Sequence, residues 1–150
     1  MTLLLDTHVV LWWLADDPRL TPGMRRAIED PATAVALSAV SIWEIAIKMA
    51  LGKIDAPDDL AVLIRAAGFD ELAVTVDDGW AAGRLPRHHD DPFDRMLIAQ
   101  AQGRGLTIVT ADVRTERRQP GALRGRIRLA DDFDETPASL LAAFRGESDA

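Results

Sequence analysis

Apolar residues are distributed along the chain in two patterns. Short unbroken runs at residues 2–5, 34–38, 72–76, 106–109 and 127–129 predict strands buried on both faces. Between them lie longer stretches with apolar positions three and four apart, which predict helices. The first should cover residues 7–14, ending at Ala15-Asp16-Asp17-Pro18. Thr21-Pro22 sets a capping residue before a proline suited to the first helical position, so a second helix should run to Glu29. Residues 41–51 carry Ile42, Ile45 and Met49 on one stripe, with Gly52 as the stop. Further helices are expected at 58–67 (ended by Gly68), 77–83, 92–102 (ended by Gly103) and 137–144. Strands that alternate with helices imply right-handed crossovers. The expected fold is therefore α/β, a three-layer α/β/α sandwich on a mostly parallel sheet.

The 150 residues suit a single domain, expected over 1–145 with a frayed tail at 146–150. The absence of cysteine excludes a disulfide framework, a zinc–thiolate site, an iron–sulfur cluster and a cysteine nucleophile. No apolar run approaches the ~20 residues of a membrane span, the longest candidate being broken by Glu44 and Lys48. The N-terminus has no basic region followed by a cleavage site, so a cytoplasmic protein with no membrane contact is expected. A net charge of −7 argues against a surface built for bulk nucleic-acid binding. The charge is uneven, because residues 114–128 hold six arginines and one acid, Glu116. Such a block is a solvated loop or a rim that attracts phosphate.

In parallel sheets ligands bind at the carboxyl ends of the strands. Four acids are expected there: Asp6 after the first strand, Glu44 and Asp94 in the first turns of two helices, and Asp112 just after the strand near Val109. Each has an ordinary explanation. Asp6 and Asp112 suit helix caps. Ser41-Ile42-Trp43-Glu44 matches a capping box. Asp91-Pro92-Phe93-Asp94 reads as a cap, a proline and an acid favoured by the helix dipole. Capping does not require four segments to bring acids to one edge, however. Clustered carboxylates repel, and a divalent cation such as Mg2+ or Mn2+ relieves that repulsion through oxygen ligands. With Arg95 as the sole cation inside these motifs, the set points to a metal site rather than a salt-bridge network.

The motifs LLLDTHVVLWWL, SAVSIWEIAIK, HHDDPFDRMLIAQA and LTIVTAD occur in that order. Through them the chain resembles the PIN-domain ribonucleases, and more narrowly the VapC-type toxins of toxin–antitoxin pairs. The likeness runs from Leu3 to Asp112, and more loosely to Leu129. It implies that Asp6, Glu44, Asp94 and Asp112 are metal-binding and catalytic, and that RNA is cut with Mg2+ or Mn2+. It also implies a small antitoxin partner and a homodimer. The family's aromatic pair after TAD is replaced here by Val113-Arg114-Thr115-Glu116-Arg117-Arg118.

Other residues carry weaker signals. Adjacent Trp12 and Trp13 point about 100° apart on a helix, so one is expected in edge packing or at an interface. His88 and His89 fit a polar turn better than a metal pair, and His8 fits a cap or core position better than a substrate contact. Ser38 and Thr110, at strand ends, suit turn chemistry as well as phosphate binding. Two alternatives remain beside a nuclease: a phosphotransfer protein with an acidic magnesium pocket, and a non-catalytic binding module. A receiver domain needs a lysine at a late strand end, whereas the two lysines are Lys48 and Lys53. A dehalogenase-like phosphatase needs an acid where His8 stands.

Overall fold

The computed structural model describes residues 1–86, 90–110 and 125–145. Its centre is a parallel sheet of β1 (Thr2–Leu5), β2 (Ala34–Ser38), β4 (Asp70–Leu72) and β5 (Thr107–Val109), in the order β4-β2-β1-β5. In register, Leu3 faces Val35 on one side and Thr107 on the other. Alternation along β1 and β2 divides the core between two faces. Leu3, Leu5, Val35 and Leu37 pack with Val9 and Val10 of α1 (Thr7–Ala15), Met24 and Ile28 of α2 (Pro22–Glu29), and Ile64 of α4 (Leu60–Ala66). Leu4 and Ala36 meet Phe93, Leu97 and Ala101 of α6 (Pro92–Arg104) on the other face, and Leu140 of α7 (Ala138–Arg145) packs there too. Between them α3 (Ala39–Ala50) serves both, with Ile45 in the first cluster and Val40 in the second. The result is the expected three-layer α/β/α sandwich. No helix among the described residues is long and apolar enough to cross a membrane.

Several local expectations are corrected. Helix α3 starts at Ala39 because Ser38, rather than Ser41, is its cap, accepting from the Val40 amide. Glu44 therefore stands in the second turn, and the Ser41–Glu44 capping box does not form. A capping box does form at α5 (Val76–Arg84), where Thr75 and Asp78 satisfy each other's backbone. Thr75 is thus committed to the helix, and β4 ends at Leu72 rather than extending to Val76. Helix α6 runs past Gly103 to Gly105, which adopts the left-handed conformation (φ 62°) that a helix stop requires. The two extra residues let Arg104 make a bidentate pair with the buried Asp78 on α5, holding the Asp78 carboxyl far below its usual range. The late strand β6 (Arg128–Leu129) pairs antiparallel with β3 (Ile54–Asp55) in a separate two-stranded sheet.

Adjacent Trp12 and Trp13 both go to packing. Trp13 is buried edge-on against Phe69, and Trp12 lies half-buried against His8, with the Arg19 guanidinium over its ring.

Candidate active site

The carboxyl edge of the sheet gathers three of the four expected acids. Asp6 follows the central strand and caps α1, its Oδ1 accepting from the His8 amide. The same oxygen lies 3.2 Å from His8 Nδ1. Burial disfavours a charged His8 ring, but the hydrogen bond and charge of Asp6 outweigh it and raise the pKa. The ring stacks edge-on against Phe133, and its buried Nε2 has no hydrogen-bond partner among the described residues.

Glu44 enters from α3 and is almost fully buried. Thr7, adjacent to Asp6, donates its hydroxyl to Glu44 Oε2 at 2.5 Å. Lys48, one turn along α3, places Nζ 2.8 Å from Glu44 Oε1 and is itself only 3% exposed. This pair corrects the expectation that no lysine enters the acidic motifs. The spacing of four was visible in the sequence and is the spacing at which Glu and Lys meet on a helix.

Asp94 stands in the first turn of α6, and its position is set by two devices. Asp91 caps the helix, accepting from the Phe93 and Asp94 amides at 2.8 and 3.2 Å, and also accepts from the Thr136 hydroxyl. Arg95 clasps the end of α5, donating to the carbonyls of Ala82, Leu85 and Pro86. Asp94 accepts no side-chain hydrogen bond among the described residues. Protein crowded around its carboxyl, then the like charges of Asp91, Asp6 and Glu44, push its pKa up to about 6. The charges of Asp6 and Glu44 thus reach Asp94, behind the larger effects of burial and Asp91.

Behind this edge sits Gln100, fully buried on α6. It accepts from the Ser38 hydroxyl at 2.6 Å and donates to the Ala73 carbonyl at 3.1 Å. The polar atoms of Ser38 are thereby engaged in structure rather than turned to a ligand. Asp112, His88, His89 and the arginines of residues 114–124 lie outside the described residues, while Arg126 and Arg128 are exposed. Thr110 is also exposed, and no role follows from its position.

No three His, Asp or Glu side chains among the described residues are arranged to hold a metal ion by themselves. Mg2+ rarely asks for that; it keeps several waters and binds through one or two carboxylates together with substrate phosphates. Asp6 and Asp94 suit that pattern. Asp6 has an oxygen without a partner among the described residues, and Asp94 carries a charge its neighbours disfavour. The donor set therefore fits a divalent ion, chiefly through these two residues.

A parallel α/β/α sandwich with acids gathered at its carboxyl edge defines a class, and the sequence profile of the PIN domain matches residues 3–119. The chain belongs to the PIN-domain family. Over 121 residues it is 34% identical to ribonuclease VapC22 of Mycobacterium tuberculosis, an alignment covering 75% of this chain and 88% of that protein.

Proposed function

We propose that this chain is a divalent-metal-dependent endoribonuclease, the toxin of a toxin–antitoxin pair, acting in the cytoplasm as a homodimer with residues 1–145 as its single domain. The observation that carries the reading is the placement of Asp6 after β1, of Glu44 hydrogen-bonded to the adjacent Thr7, and of Asp94 in the first turn of α6. Membership of the PIN family and the likeness to a named ribonuclease support it. Asp112 joins the set through the family resemblance.

In this reading the acidic set draws in the ion, and Asp6 and Asp94 hold it. A bound Mg2+ or Mn2+ supplies Lewis acidity, acidifying water and offsetting charge on the phosphoryl oxygens. The proton falls to one carboxylate of the set, Asp94 or Asp112. It accepts a proton from the attacking water, so the cut leaves a 5′-phosphate and a 3′-hydroxyl. Asp6 is oriented by the His8 contacts, which fix one oxygen and leave the other without a partner among the described residues. Exposed Arg126 and Arg128 extend the arginine block expected to steer the RNA backbone.

The test is single-stranded RNA cleavage by pure protein in EDTA, then with Mg2+ or Mn2+ restored. Activity that vanishes in chelator and returns with metal is expected, with the Asp6→Asn protein inactive throughout. Undiminished cleavage in chelator overturns the reading. In cells, expression without the antitoxin should arrest growth and Asp6→Asn should relieve the arrest; equal arrest by both versions detaches toxicity from this site.

A further inference from the structure

Helix α5 turns one stripe of residues to solvent. Val76, Gly79, Trp80 and Gly83 are three and four apart and so share a face. All four are exposed, Val76 at 89% and Trp80 at 70%. The opposite side of the helix is committed to the fold, with Asp78 and Ala82 buried and Arg104 of α6 paired to Asp78. Among the described residues nothing in the chain calls for either glycine. Their backbone is helical, a Cβ at either would meet nothing within 4 Å, and glycine weakens a helix interior. The apolar surface continues beyond α5. Gly79 and Gly83 form one wall of a groove of about 520 Å3, whose other walls include the half-exposed Trp43 of α3 and Phe144 of α7. Exposed apolar surface that is contiguous in this way marks an interface, and aromatic residues are enriched at interfaces.

The order of the stripe says what covers it. Large Val76 and Trp80 alternate with small Gly79 and Gly83, so the same stripe run in reverse sets a small residue opposite each large one. The charges at its ends behave alike. Asp77 lies in the first turn of α5 and Arg84 in the last, on one flank of the stripe. The Arg84 guanidinium leans over the Trp80 ring, 5.6 Å from its centre, which keeps its charge at the margin. An antiparallel copy of α5 brings the Asp77 of each chain to the Arg84 of the other, and a two-fold axis makes both pairs at once. One acid and one base at the margin suit a protein rather than RNA, whose phosphates draw cations. We infer that α5 is the seam of a homodimer: it crosses the α5 of a second copy antiparallel, with Val76 and Trp80 of each chain seated over Gly83 and Gly79 of the other. This rests on the homodimer of the reading above and names its surface. The glycines let the two helices approach closely, and the Asp77–Arg84 pairs form a charged rim around an apolar centre.

The experiment is sedimentation equilibrium of the full-length protein over a range of concentrations, with RNA cleavage assayed alongside. Wild type should be a dimer. Gly83→Gln favours the helix and has room within its own chain. By filling the recess for Val76 it should nonetheless weaken the dimer about tenfold or more. Asp77→Arg should weaken it as well, by setting like charges together. Asp77→Arg with Arg84→Asp should restore it, because the swap rebuilds both cross-pairs, a rescue that only a copy of the same chain can supply. A monomeric wild type overturns the inference, as does a dimer indifferent to Gly83→Gln and Asp77→Arg, which would leave the stripe to another protein or to RNA. Failure of the charge swap to recover what Asp77→Arg loses overturns the antiparallel crossing. A monomer that cleaves RNA leaves the nuclease reading standing, whereas an inactive dimer counts against that reading and not against this one.

Discussion

Lys48 Nζ lies 2.8 Å from Glu44 Oε1, one turn along the same helix, with neither side chain more than 7% exposed. Such a pair stabilises little relative to an apolar pair of the same shape, but loss of one member strands a buried charge. Glu44→Gln should therefore destabilise the metal-free protein by about 3–5 kcal/mol, measured by urea unfolding in EDTA. The double change Glu44→Gln with Lys48→Met should recover most of that loss. Equal instability of the single and double variants would mean the ammonium is not stranded by the first.

Asp91 and Asp94, three residues apart, should respond in opposite ways. Asp91 caps α6 and holds Thr136, so Asp91→Ala should cost about 0.5–2 kcal/mol. Asp94→Asn should leave the metal-free protein as stable as before, or more so, while abolishing cleavage. The pH dependence carries the same sign. Because the folded pKa lies near 6, above the ordinary 3.8, the folded state binds the extra proton between those values. Metal-free wild type should thus lose stability as pH rises from about 4 to 6, and Asp94→Asn should lack that slope. Thermal melting in EDTA across this window checks both.

Asp78 works the other way. Its carboxyl is held far below the ordinary range by Arg104, so its contribution is complete above about pH 4 and is lost as acid approaches its folded pKa. Asp78→Asn should be clearly destabilising at pH 7 and progressively less so below pH 4. A constant difference across that range would remove the Arg104 pair as its origin.

Gln100 joins the helix bearing Asp94 to the cap of the helix bearing Glu44. Gln100→Leu leaves the Ser38 hydroxyl and the Ala73 carbonyl without these partners, which should cost about 1–3 kcal/mol for each group left unsatisfied. Denaturant titration measures the cost. Loss of cleavage beyond the unfolded fraction would show that the brace also sets the spacing of the acids.

The order of strands and helices was readable because β1, β2 and α2 carry unambiguous local signals: an apolar run into Asp6, another into Ser38, and Thr21-Pro22. Asp6 and Asp94 stand where the sequence places them, at a strand end and in a first helical turn, whereas Glu44 was grouped with them through a capping box that does not form. What was missed depends on choices that local pattern does not settle. Ser38 and Ser41 are both good caps, and the start of α3 is decided by Ser38 also reaching Gln100 across the core. Gly103 and Gly105 are both plausible stops, and the Asp78–Arg104 pair accompanies the later one. Lys48 stood in the sequence at the right spacing, but its burial depends on Phe133 and the surrounding fold. The pairing of β6 with β3 joins segments far apart in the chain, which no local signal specifies.

Asp6 ends β1, and both strands that β1 pairs with come later in the sequence. Its neighbour β2 follows soon after, but Leu5 pairs with Val109, more than a hundred residues further on, and Asp94 comes little earlier. A nascent chain thus holds an unpaired strand edge and an unassembled acidic edge for most of its synthesis. Non-local pairing of this kind is slow as well as late. Whatever chemistry the edge performs is withheld until residues 92–109 have been made and packed against β1.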